Sequence, residues 1–218
     1  MSTSQDRLLN DSEGTRTDAV ESQSAGFSGL LSGGGGAWFR RYLNKMRGTP
    51  RGSPPRVTSE EVVWSGIGAF LGIALVGLLE QFLLPGTDQV LMIGSMGASA
   101  VLLYGAPRSP LAQPRNLVGG HVLSAIVGVL CYQLVGDILW LAAALSVASA
   151  IALMHLTRTL HPPGGATALI AVIGSNQIHQ LGLFYALVPA GLSALLLLLV
   201  ALIVNNIPET RRYPEFWL

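Results

Sequence analysis

The chain has 218 residues, half of them hydrophobic, and only 11% carry charge, about half the charge of a soluble domain. Between Val62 and Ile207 there are six formal charges: Glu80, Asp88, Arg108, Arg115, Asp137 and Arg158. A stretch so long and so sparsely charged predicts an all-α integral membrane protein and excludes nucleic-acid binding through a basic face.

Residues 1–36 are rich in Ser, Thr, Asp, Glu and Gly and end in the run Gly33–Gly36. That composition predicts a disordered tail. Its acids (Asp6, Asp11, Glu13, Asp18, Glu21) argue against an organellar transit peptide, and no apolar segment suggests a cleavable signal. In residues 37–58, Trp38, Phe39, Tyr42, Leu43 and Met46 interleave with Arg40, Arg41, Lys45 and Arg47, and Arg51 and Arg56 follow. At helical spacing the apolar side chains fall largely on one side. Two readings stay open: a helix lying in the cytoplasmic interface, or a basic anchor that only sets orientation.

The expected transmembrane domain covers residues 59–207, and a short tail, 208–218, follows it. Four long apolar runs lie in this domain, Val62–Leu84, Leu117–Val135, Ile138–Leu156 and Leu183–Val204. Each is long enough to cross a hydrocarbon core of about 30 Å. Two shorter runs lie between them, Val90–Tyr104 and Gly164–Gly174. At ~16–22 Å they fall short of an upright span in lipid. They contain Gly, Ala, Ser and Thr where the long runs contain Leu. The lone Cys131, inside a hydrophobic run, reads as a packed side chain.

The short runs resemble each other. Gly97-Ala98-Ser99-Ala100-Val101-Leu102 parallels Gly165-Ala166-Thr167-Ala168-Leu169-Ile170 at an offset of 68 residues. The same offset carries Leu117–Val135 onto Tyr185–Ile203. This predicts two three-segment repeats with a short middle segment in each, about six transmembrane segments in all. Loop charges agree. With six crossings, Arg40–Arg56, Arg108, Arg115, Arg158, Arg211 and Arg212 share one side, and Asp88, Asp137 and the His179 loop share the other. The positive-inside rule then puts the N-terminus in the cytoplasm.

Chemistry concentrates in three strings. His161-Pro162-Pro163-Gly164-Gly165-Ala166-Thr167 reads as a helix entry, because Pro has no N–H to leave unbonded there. Such a helix start could aim N–H groups at an anion. Gly94-Ser95-Met96-Gly97-Ala98-Ser99 is the matching start in the other half. The competing reading is close helix crossing through small residues. In the third string, Ser109–His121, Arg115 can grip a small oxyanion or mark topology. Asn116 can cap the span or bond a substrate, and His121 can carry a proton, bond an anion or simply pack. Glu80 and Gln81 end the first span and read as an interfacial end rather than a proton relay. His155 and His161 are six residues apart, not the i, i+4 spacing of a helical metal pair. The chain has no nucleotide-binding fingerprint in a suitable context. No catalytic residue, metal or cofactor is expected.

The strings His161–Leu169, Gly97–Leu103 and Ser109–His121, in that form and spacing, resemble the HPP family of integral membrane proteins over about residues 60–207. Met96 stands where many members carry an aromatic residue. The resemblance implies a transporter-like role. Members in cyanobacteria and plastids are associated with nitrite transport, so it implies nitrite here. The expected function is therefore a transporter or facilitator of a small monovalent anion. The expected binding residues are Gly94, Ser95, Gly97, Ser99, Arg115, Asn116, His121, His161, Gly164, Gly165 and Thr167. The expected partners are nitrite, the lipid bilayer and, from its small-residue spans, further copies of the chain in a homo-oligomer. The expected location is the cell inner (cytoplasmic) membrane, with the plastid envelope as the alternative. Two other classes compete: an intramembrane enzyme using His121 or His161, and a non-transporting structural or regulatory subunit.

Overall fold

The computed structural model describes residues 35–46, 56–84 and 86–218. The disorder expected for residues 1–34 and the linker at 47–55 lie outside the described residues. The described elements are helical: α1 (Gly35–Met46), α2 (Ser59–Leu83), α3 (Thr87–Gly105), α4 (Pro114–Val135), α5 (Leu139–Leu156), α6 (Pro163–Ile173), α7 (Asn176–Leu181) and α8 (Leu192–Val204). A 3₁₀ turn, Pro110–Ala112, precedes α4, and an irregular helical stretch, 182–191, leads into α8.

α1 belongs to a unit separate from residues 56–218. It is a basic helix, with Trp38 and Tyr42 stacked at 5.5 Å between ring centroids. Its Trp38, Phe39, Tyr42 and Met46 are exposed.

Four helical stretches are long and apolar enough to cross a membrane: Ser59–Leu83, Pro114–Val135, Leu139–Leu156 and Asn176–Val204. Their outward faces carry large apolar side chains, such as Phe82 on α2, Leu134 on α4 and Leu156 on α5, each at least 80% exposed. In water such a surface would be costly; in hydrocarbon it is the solvated face. The first short run is longer than expected. α3 begins at Thr87, three residues before the apolar run, and reaches 19 residues because the polar Thr87-Asp88-Gln89 supplies its first turn. The second stays short, at 11 residues. In the last span, Val188 has extended backbone angles (φ −138°, ψ 122°) that break the helix ahead of Pro189.

Side-chain ties define the two ends of the bundle. At one end Arg211 pairs with Glu61 of α2 at 2.9 Å, Arg108 donates to the Thr210 carbonyl, and Asn205 donates to the Leu103 carbonyl. The C-terminal segment also reaches the turn ahead of α4: the Glu215 N–H donates to Gln113 and the Tyr213 hydroxyl to the Ala112 carbonyl. Arg115 joins the end of α5 to the same face by donating to the Thr157 carbonyl. At the other end Asp88 accepts from the N–H and hydroxyl of Ser175, and Tyr132 stacks on His179 at 3.6 Å. α2 and α4 therefore run in one direction, and α3, α5 and α8 in the other.

Small residues set the closest approaches. A methyl group added at Gly68 or Gly72 of α2 would meet the Tyr104 side chain. On α4, one added at Gly120 would sit 2.5 Å from His161 Cβ, and one at Gly128 would sit 2.8 Å from Ala171 Cβ. Conversely, a methyl group on Gly164 of α6 would meet Ser124 Oγ at 2.8 Å. The α4–α6 seam is thus a close small-residue crossing, which lets the two backbones touch.

Candidate functional site

α3 carries Ser95 and Ser99 on its buried face. They lie eight and twelve residues past Thr87, about 12 and 18 Å along a helix of roughly 28 Å. This is the middle of the bundle. α6 starts beside them, because the loop 157–162 turns inward and Pro163 opens the helix at that depth. The Ser95 hydroxyl donates to the Pro163 carbonyl at 3.2 Å. The close α4–α6 crossing brings His121 to the same point.

There the side chains form one continuous network. Ser99 Oγ lies 2.8 Å from His121 Nε2 and 2.9 Å from His161 Nε2. His121 Nδ1 lies 2.7 Å from Thr167 Oγ1, which lies 2.9 Å from Ser95 Oγ. His161 Nδ1 lies 2.9 Å from the Leu111 carbonyl oxygen. The Tyr185 hydroxyl donates to the Thr167 carbonyl at 3.1 Å. The imidazole centroids are 5.0 Å apart. Ser99, His121, His161 and Thr167 are fully buried. Among the described residues, no carboxylate or guanidinium hydrogen-bonds to the side chains of Ser95, Ser99, His121, His161 or Thr167.

Hydrogen-bond accounting assigns the protons of the neutral network. A carbonyl oxygen only accepts, so His161 carries its proton on Nδ1 and donates it to Leu111. Its Nε2 is then an acceptor and takes the Ser99 O–H. Ser99 Oγ in turn accepts from His121 Nε2–H. That leaves His121 Nδ1 to accept from the Thr167 hydroxyl. The two histidines are therefore opposite tautomers. Each polar side-chain atom of Ser95, Ser99, His121, His161 and Thr167 thus has a partner, as burial demands.

Of the expected site residues, Ser95, Ser99, His121, His161 and Thr167 converge. Gly94 and Gly97 do not. They lie on the outer side of α3, where an added Cβ would meet nothing within 4 Å. The expected helix start at Gly94–Ser99 is also corrected: this stretch is the middle of a continuous helix, so its N–H groups are already used in the helix ladder. Nor does the start of α6 hold a free anion nest. Gly164 N–H bonds to the His161 carbonyl and Gly165 N–H to the Pro162 carbonyl. Gly164 serves the close crossing, while Gly165 borders an open apolar groove of about 580 Å³ that Val147, Ile151 and Leu169 also line.

Arg115 and Asn116 have a different job from the one expected. Asn116 does not cap α4; it donates to the Leu160 carbonyl at 2.9 Å. Arg115 donates to Thr157 O at 2.7 Å. Together they staple the loop that presents His161. Glu80 is likewise not an interfacial end. It is fully buried, Oε1 accepts from the Ser193 hydroxyl, and Oε2 has no partner. On the arginine-bearing face, a cleft of about 580 Å³ opens among Arg56, Glu61, Arg108 and Arg211.

Sequence reasoning missed Leu111, Tyr185 and Ser193. Leu111 acts through its carbonyl, which leaves no side-chain signature, although it sits inside the Ser109–His121 string. Tyr185 and Ser193 lie in the last apolar run, and a polar atom in a span was the available signal. Among the described residues, no three His, Cys, Asp or Glu side chains cluster as metal ligands would.

A model of the HPP transmembrane region matches residues 54–214. The chain belongs to the HPP family. Two similar relatives, both from Dictyostelium discoideum, are named only as transmembrane proteins. One is 45% identical over 183 residues, covering 83% of this chain and 58% of the relative. The other is 44% identical over 181 residues, covering 81% and 63%. The chain thus spans about three fifths of the length of these relatives. No solved structure matches it. The His-Pro-Pro of the HPP string has a clear structural part here: His161 joins the network, Pro162 lies outside it, and Pro163 opens α6 and accepts from Ser95.

Proposed function

We propose that this HPP protein is a membrane transporter or facilitator of a small monovalent anion, with nitrite as the substrate, and that it has no catalytic role. One observation carries the reading. A fully buried cluster of hydroxyl and imidazole groups lies at mid-depth in a membrane bundle, with no carboxylate bonded to it. Polar groups at such depth are costly and mark solute pathways. The donors are O–H and N–H groups, which suit a monovalent anion and would not repel it. They now bond one another, so an anion enters by taking the place of a partner, most directly at Ser99 between the two rings. The basic cleft beside Arg56 and Arg108 would draw anions to this end of the protein.

The architecture supports the same reading. We propose six crossings in two inverted three-segment repeats: α2, α3 and α4, then α5, α6 and the segment ending in α8. Ser95 and Pro163, 68 residues apart, touch each other, as residues beside a pseudo-two-fold axis would. α2 packs on α8 while α5 packs on α4, the exchange such an axis produces. The arginine-bearing end faces the cytoplasm. We assign the protein to the cell inner membrane, with the plastid envelope as the alternative, and expect copies to associate.

The deciding experiment is uptake of nitrite, nitrate, chloride and formate into liposomes holding the purified protein. Saturable nitrite uptake, reduced at least tenfold by Ser99→Ala, is expected. Uptake no faster than in protein-free liposomes for all four anions would refute transport and leave the structural-subunit and enzyme readings.

A further inference from the structure

We infer that the chain Thr167–His121–Ser99–His161 is a proton relay that holds one exchangeable proton, and that anion movement is coupled to it. The coupling rests on the transport reading above; the relay itself does not.

In the neutral state each donor has an acceptor, as worked out above. Add one proton, at His121 Nδ1. This nitrogen now donates to Thr167 Oγ1, so the Thr167 hydroxyl must turn. Ser95 Oγ is 2.9 Å away to accept it. The Ser95 hydroxyl keeps the Pro163 carbonyl, 3.2 Å away, as its own acceptor. The extra proton is accommodated with no hydrogen bond lost. Next, His121 passes its Nε2 proton to Ser99 Oγ while Ser99 passes its own to His161 Nε2. One O–H breaks and one forms at Ser99, the positive charge moves from His121 to His161, and the proton count is unchanged. His121 is left neutral, with Nδ1–H on Thr167 and Nε2 accepting from Ser99. Again every donor is paired. The Ser95 carbonyl, 3.4 Å from Ser99 Oγ, offers a further acceptor while the Ser99 hydroxyl turns. A structural polar plug needs one satisfied arrangement of protons. This one has three.

The ends of the relay tie it to motion. His161 cannot release its Nδ1 proton while facing the Leu111 carbonyl, because a bare nitrogen would then oppose a carbonyl oxygen. Discharge therefore requires His161 to part from the 110–112 turn. That turn is held by Gln113, which donates to the Pro107 and Ser109 carbonyls, and by Tyr213 on Ala112 O. The loop carrying His161 is held by Arg115 and Asn116. Proton release and relative movement of these two loops become one event.

Few other titratable groups face the pair. α3 contributes only Ser95 and Ser99, since its Asp88 is bonded to Ser175. α4 contributes Arg115, turned to Thr157 O. The 182–186 stretch contributes Tyr185, on the Thr167 carbonyl. The C-terminal segment contributes Tyr213 near Leu111. From α5, His155 borders the open groove beside Pro162. Glu80 of α2 is bonded to Ser193.

The relay is tested by ¹⁵N NMR of histidine-labelled protein in nanodiscs, in a His155→Gln, His179→Gln background. At neutral pH one remaining ring should carry its proton on Nδ1 and the other on Nε2. On acidification both rings should respond together and take up one proton between them. In Ser99→Ala the two responses should separate, and Ser99→Thr should restore the shared one. Two rings of the same tautomer, or two protons bound in independent steps in the unsubstituted protein, would overturn the relay. In liposomes containing a pH-sensitive dye, one proton should move with each nitrite. Nitrite uptake without proton movement would overturn the coupling while leaving transport standing. Absence of any nitrite uptake would overturn transport and with it the coupling, and the NMR result would still decide the relay.

Discussion

The α4–α6 seam predicts a sharp contrast between glycines that sequence treats alike. At Gly128 an alanine methyl would lie 2.8 Å from Ala171 Cβ and 2.9 Å from Ala168 Cα, and it would also press on the Ala168 carbonyl oxygen. Ordinary contact needs about 3.5–4 Å, and two of these obstacles are backbone that cannot turn aside. The helices must part by roughly 1 Å. Overpacking of this kind costs about 1–3 kcal/mol, and the gain in helix propensity, about 1 kcal/mol, offsets part of it. The displacement matters more than the energy. His121 on α4 and Thr167 on α6 are joined by a 2.7 Å hydrogen bond, and a ~1 Å separation takes it past the limit for such a bond. Gly165 is the control. A methyl group there would meet Val147 at 3.8 Å, an ordinary contact. Gly128→Ala should lower the melting temperature in detergent and cut nitrite uptake at least tenfold, while Gly165→Ala should leave both within error. Equal damage from the two substitutions, or none from Gly128→Ala, would refute the close-crossing account.

Arg211→Ala should destabilise the protein by about 3 kcal/mol, because it strips a buried guanidinium from Glu61, Ser65 and Asn205; chemical denaturation measures this, and Arg211→Lys should not rescue it, lacking the planar fork. Arg115→Gln should reduce uptake to the same extent at low and high salt, since it releases the Thr157 carbonyl; a loss confined to low salt would instead make Arg115 an electrostatic lure. Glu80→Gln keeps an oxygen for the Ser193 hydroxyl and should melt within about 1 kcal/mol of the parent, whereas Glu80→Leu should melt clearly lower. In a Cys131→Ala background, cysteine at Glu209 should label only from the cytoplasmic side and cysteine at Gln177 only from the opposite side; labelling of both from one side would refute the six-crossing topology.

The membrane class and its four long spans were legible in the sequence, because hydrocarbon tolerates few charges and a span has a minimum length. The family was legible from three local strings. His121, His161, Ser95, Ser99 and Thr167 were legible as polar residues that a bilayer interior does not hold without reason. Their connections were not. Ser99 meets His121 and His161 across 22 and 62 residues of sequence, and only the crossing of α3, α4 and α6 decides that contact. The glycines show the same division. Gly97, Gly128, Gly164 and Gly165 look equivalent in the sequence, yet Gly128 and Gly164 face a neighbouring backbone, Gly97 faces open space, and Gly165 borders a groove. A helix start at Gly94 was inferred from composition and is absent, because the polar turn at Thr87-Asp88-Gln89 begins that helix earlier and the ladder runs through unbroken. Local sequence determined which segments could enter the membrane and which polar atoms went with them. Tertiary packing decided which of those atoms bond to one another, since a hydrogen bond depends on a few tenths of an ångström that only the distance between helices sets.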